Sequence, residues 1–204
     1  MSEFLRMVKS TDKAVAIYYK ASGTFCAGIV KEADDEFVCI QFIAPSGKFD
    51  GWHCIRIEEI LKMDFATKYL ENLEKVHRHL GEDKREIKIS ATKVLDSFID
   101  LAIKNKWLCT FEIGFDTLEK VSGYVVERNW SAVQVKLVDE NGLPDGYTTF
   151  ETEDVVYAGA QSEFEEFLLT LGKINGAEKE SEQTEKKKNK AKDDGDILSF
   201  PKKK

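Results

Sequence analysis

The chain has 204 residues, 42% hydrophobic and 33% charged, with a formal charge of −7. That length holds one domain of medium size or two small ones, and no apolar run reaches the roughly 18 residues of a membrane span. The first residues carry no signal-peptide run either, so the sequence reads as a soluble, cytoplasmic protein.

The charge is uneven. From Ala177 on there are nine lysines against seven acids, which leaves 21 basic against 30 acidic residues before it. An acidic body is poorly suited to gripping a phosphate backbone, where affinity comes from neutralised phosphates.

Along the chain, "SEFLRMVK" has the apolar spacing of a short helix. The next segments alternate as strands, with Val38, Ile40 and Phe42 in one phase. "GKFDGWHCIRIEEI" follows, in which Gly47, Asp50 and Gly51 predict a strand-joining turn. Phe65, Tyr69, Leu73, Val76 and Leu80 then recur at helical steps.

After a polar joint at 81–90 the series starts again. A helix containing Val94, Leu95, Phe98 and Leu101, with Thr92 as its predicted cap, precedes strands in which Val133, Val135 and Leu137 alternate with Gln134 and Lys136. "GLPDGYTTFETEDV" repeats the turn with Gly142, Asp145 and Gly146. A displacement of 95 residues aligns the halves without a gap from Lys9/Lys104 to Leu73/Leu168, matching Gly28/Gly123, Val30/Val125, Glu32/Glu127, Asp50/Asp145 and Glu58/Glu153. Preserved glycines and apolar phase over such a length indicate internal duplication.

These residues predict a mainly β protein with flanking helices (α+β). It is built as two tandem Sm-like or SH3-like five-stranded barrels, with bends expected at Gly28 and Gly123. The first unit spans 1–80, a linker 81–90, the second unit 91–176 and a disordered charged tail 177–204.

Within these units, "AVAIYYKASGTFCAGIVKEADDEFVCIQF" resembles the first motif of the Sm-like (LSm) family and "HCIRIEEILKM" the second. The resemblance covers residues 4–63 and 99–158. It implies assembly through edge strands and RNA held at two loops. The candidate nucleic-acid residues are therefore Phe37, Arg56, Asn129 and Trp130, with stacking and guanidinium chemistry suited to single strands. The pattern departs from the family where Arg56 is followed by Ile57 and where Glu151 replaces the arginine.

No catalytic constellation, phosphate loop or dinucleotide fingerprint is present, and the four cysteines lack the close pairs used for zinc. The expectation is a non-enzymatic binding or scaffold protein without cofactor or metal, acting through a protein partner or self-association, with RNA as the alternative ligand. In the tail, Ile197, Leu198 and Phe200 form an apolar island suited to a partner groove. It resembles the peptides that bacterial sliding clamps recognise, without their glutamine.

Overall fold

The computed structural model describes residues 1–20, 23–82, 85–114 and 119–177. The first unit runs α1 (Ser2–Lys9), β1 (Ala14–Tyr19), β2 (Cys26–Ala33), β3 (Phe37–Ile43), β4 (Phe49–Arg56), a 3-10 turn (Ile57–Glu59), β5 (Ile60–Phe65) and α2 (Lys68–His79). The second runs α3 (Val94–Asn105), β6 (Leu108–Ile113), β7 (Glu119–Arg128), β8 (Ala132–Val138), β9 (Pro144–Glu151), a 3-10 turn (Thr152–Asp154) and β10 (Val155–Ala160). A last helix, α4, covers 163–177. β3, β4, the first turn and β5 recur as β8, β9, the second turn and β10 with the same displacement found in the sequence. The charged tail beyond 177, with Ile197, Leu198 and Phe200, lies outside the described residues.

The two closed barrels expected from the sequence do not form. All ten strands make one antiparallel sheet in the order β5-β1-β2-β3-β4-β10-β6-β7-β8-β9. Closing either unit requires β4 to meet β5 and β9 to meet β10. Instead β4 pairs with β10, from Ile55 opposite Tyr157 to Trp52 opposite Ala160. β5 and β9 are left at the two ends of the sheet, and the architecture is an open α+β fold with four helices among the described residues.

Composition explains the choice of β10 over β5. β10 ends in Ala158, Gly159 and Ala160, all buried, and can sit between two strands. β5 has Met63, Asp64 and Phe65 at the matching positions, with Asp64 ion-paired to Lys62 at 3.0 Å, and charges of this kind keep an edge strand from being covered.

Three apolar clusters hold the helices. Leu5 and Val8 of α1 pack with Ile17, Val30, Ile40 and Ile55. Leu70 and Leu73 of α2 cover Ala14, Ala16, Ile29 and Ile43. The largest cluster surrounds Phe98 and Ile99 of α3 and draws on both units: Phe111, Val133 and Val135 from the second, Phe37, Cys39, Trp52 and Cys54 from the first. This accounts for the different burial of matching strands. β8 alternates, Val133 and Val135 inward with Gln134 outward, whereas β3 is buried on both faces because α3 covers its second one.

α3 begins at Val94, two residues beyond the Thr92 cap suggested by the sequence. Its first amide is held by a residue of the other unit: Val94 N donates to Asp34 Oδ2 at 2.7 Å. A carboxylate there also complements the positive end of the helix.

Gly28 and Gly123 are required by contact with the neighbouring strand. A Cβ at Gly28 would stand 2.4 Å from the Gln41 carbonyl oxygen, and one at Gly123 would stand 2.2 Å from that of Lys136. The bulges themselves lie just beyond, between Val30 and Glu32 and between Val125 and Glu127. Gly28→Val and Gly123→Val are each expected to destabilise the protein by about 3 kcal/mol, since backbone must separate at a paired strand. Urea denaturation measures this, and an unchanged midpoint in both variants would remove the contact as the reason for glycine.

Candidate interaction site at the joint and the free edge

Asp34 and Asn129 occupy equivalent corners. Asp34 Oδ1 accepts from Glu36 N (2.9 Å) and Phe37 N (2.7 Å), and Asn129 Oδ1 accepts from Ser131 N (2.9 Å) and Ala132 N (2.8 Å). Each side chain thus closes its own β-hairpin loop.

Arg56, at the end of β4, reaches across to the second unit. Its Nε donates to Val155 O at 2.7 Å, and one terminal nitrogen donates to Glu153 O at 2.7 Å and Thr152 O at 3.3 Å. The guanidinium lies 4.7 Å from the centre of the buried Phe37 ring. Of the four residues expected to bind RNA, then, Phe37 and Arg56 come together but are used within the chain, and Asn129 shapes a turn. Trp130 alone is free, at 91% exposed.

Two hollows meet at Thr152 and Glu153, and Arg56 lines the larger. One, of about 790 Å³, is lined by Asp34, Asp35, Glu36, Glu58, Asp96 and Glu153 together with Arg6, Arg56 and Lys93. The other, about 450 Å³, is lined by Trp130, Ser131, Glu151, Thr152 and Glu153, so the two share Thr152 and Glu153. The basic members are already engaged: Arg6 bonds Asp35 at 2.8 Å, and Arg56 holds the carbonyls. The surface is therefore acidic, which disfavours a polyphosphate and favours a basic or neutral ligand.

The repeated Gly-x-x-Asp-Gly-aromatic segment acts beyond the turn it was expected to form. Gly47 is in the β3–β4 turn, its amide bonded to Ala44 O. Asp50 and Gly51 lie inside β4, after a register shift, and serve the joint. Asp50 Oδ1 accepts from Glu163 N at 2.7 Å, capping α4. Gly51, at φ +97°, lets the chain at Ala160 and Ser162 approach, for a Cβ there would be 2.6 Å from Ala160 O. Trp52 Nε1 donates to Gln161 Oε1 at 3.0 Å.

The second copy repeats the turn bond, from Gly142 N to Asp139 O, but among the described residues shows none of the contacts to a following strand and helix. Gly142 is in the β8–β9 turn, and Asp145 and Gly146 lie in β9. Gly146 keeps its positive φ of +85° with open space where a Cβ would be. Tyr147, matching Trp52, is 64% exposed. So β9, paired with β8 on one side, carries the jointing segment with no strand on its outer edge among the described residues.

Behind the joint, His53 is buried between the rings of Phe42, 4.4 Å away and stacked, and Tyr157, 5.1 Å away and edge-on. Burial pushes it down to about 3, so it packs as a neutral ring. Burial likewise pushes the Cys26 thiol up to about 12. All four cysteines are free thiols, three of them buried. Among the described residues no group of three or more His, Cys, Asp or Glu side chains is placed to hold a metal ion, and no helix is long and apolar enough to cross a membrane.

No family model matches the chain, and neither a curated protein nor a solved structure matches it. Nothing in these comparisons identifies the Sm-like family.

Proposed function

We propose that this is a non-enzymatic binding or scaffold protein acting through protein-protein assembly, with β9 as the assembling edge. The observation that supports this most directly is the contrast between twin segments. In β4 the Asp-Gly-aromatic run receives a strand and the helix start that follows it; in β9 the same run stands open with Tyr147 exposed, and the exposed Trp130 lies by Glu151 at the end of the strand. A partner strand added there would gain main-chain hydrogen bonds, and exposed aromatics are suited to anchoring it.

The partner is a different protein rather than the β5 edge of a second copy. Glu151 stands where Arg56 stands in β4, so a carboxylate would meet the carbonyls that Arg56 satisfies at the joint. The paired charges on β5 oppose covering as well. An RNA ligand, the alternative, would have to use Trp130 across an acidic surface.

The test places a photo-activatable cross-linking residue at Tyr147, with the same residue at Leu61 on β5 as control, in the native host. A defined protein cross-linked at 147 and absent at 61 is the expected result. Adducts destroyed by ribonuclease would instead support the RNA reading. Equal adducts at both positions would sink the assignment to β9.

A further inference from the structure

α4 presents more apolar surface than its attachment to the sheet requires. Phe164, Phe167, Leu171 and Ile174 fall within one face at helical spacing, with the Lys120 ammonium 3.7 Å from the Phe164 ring centre, while Glu165 and Leu168 are buried beneath the helix. Phe167 is 59% and Ile174 51% exposed. The duplicated helix α2 provides the internal comparison, because it packs on its own unit at the equivalent place. At the positions matching Phe167 and Ile174 it carries Asn72 and His79, both exposed. α2 exposes Tyr69, Val76 and Leu80 of its own, so it is at the two positions of Phe167 and Ile174 that sheet packing does not call for the apolar residues of α4.

We propose that the apolar face of α4 is the docking site for residues Ile197 to Phe200 of the same chain. The length of chain allows it. Ile197 lies twenty residues beyond Ala177, a length of chain that can span about 25 Å, whereas the face from Phe164 to Ile174 is about 15 Å long. The charges match in one orientation. Asp193, Asp194 and Asp196 precede the island and Lys202 to Lys204 follow it. α4 has Glu163 and Glu166 at its start and Lys173 near its end. An antiparallel alignment sets the tail's acids beside Lys173 and its lysines beside Glu163 and Glu166. Tethering supplies an effective concentration on the order of millimolar, so modest apolar burial suffices to hold the contact.

Amide hydrogen exchange on the full chain tests this directly. A segment docked for about nine-tenths of the time exchanges about tenfold slower than it does when free. The expected result is such protection at 197–200 relative to 179–192, independent of protein concentration. It should be lost in a Phe167→Asn, Ile174→His variant, which installs the residues α2 already tolerates. A second variant, Phe200→Asp, should quicken exchange along 164–174 without touching the helix. Three results would overturn the proposal: no protection at 197–200, protection that survives in the α4 variant, or protection that grows with concentration and so reports a second copy.

Discussion

Arg56→Ala is expected to lower stability by about 3 kcal/mol and to loosen the joint between the units before the rest of the sheet. The guanidinium satisfies the carbonyls of Thr152, Glu153 and Val155 and covers the Phe37 ring. A hydrogen bond to a charged group contributes about 1.5–3 kcal/mol net. Three do not add fully, since water enters from the adjoining hollow and takes up part of the loss. The Glu58 contact, at 3.9 Å with that carboxylate mostly exposed, contributes little. Arg56→Lys should recover less than half of the loss. A single ammonium cannot span carbonyls on both sides of the turn or lie flat on an aromatic ring. Urea denaturation gives the total, and hydrogen exchange of β10 amides locates it. A loss below about 0.5 kcal/mol, or equal protection of β10 in both proteins, would show that Arg56 does not hold the joint.

What the sequence revealed of this arrangement was its local part. Period-two alternation and the displaced pairs placed the strands of both units and the flanking helices, because those signals depend only on neighbours along the chain. The end of the sheet at which each strand would sit was not legible. Whether β4 closes on β5 or accepts β10 turns on side chains more than ninety residues apart, such as Arg56 with Val155 and Asp50 with Glu163. The clue was present as a difference between the halves. Phe37, Cys39, Trp52 and Cys54 face α3, whereas the matching Ala132, Gln134, Tyr147 and Thr149 are not fully buried. Apolar outward positions in one copy only indicate that something covers that copy alone.

The contacts that the candidate site residues make were not legible in the sequence. Phe37 and Arg56 line one hollow and Trp130 the other, but an arginine beside an aromatic ring has the same appearance in a nucleotide pocket and in an internal clamp. What distinguishes the two is where the guanidinium hydrogens go, and here they go to backbone carbonyls. The glycines of the Asp-Gly runs were legible as positive-φ positions, a local requirement, though the runs lie inside β4 and β9 and not at the turns expected. Their service to a strand from the other unit was not, because that depends on the position of β10.

The same comparison yields the second large effect. Glu151→Arg is expected to make the 23.2 kDa chain associate head to tail. β9 already retains Asp145, Gly146 and Tyr147, the counterparts of residues that receive β10 and α4 in the joint. The position at its end is the clearest reversal, a carboxylate in place of the guanidinium. Replacing it removes repulsion against the carbonyls of Ile57, Glu58 and Ile60 in a second copy and supplies donors to them. A swing of about 3 kcal/mol corresponds to roughly a hundredfold tighter association. Lys62 and Asp64 still guard β5, so combining Glu151→Arg with Lys62→Thr and Asp64→Thr should strengthen association further. Light scattering coupled to size exclusion reads the mass directly. If the combined variant keeps the mass of one chain, the clamp is not what separates the joint from the free edge. The small residues Ala158 to Ala160 of β10, which β5 replaces with Met63, Asp64 and Phe65, would then be the deciding feature.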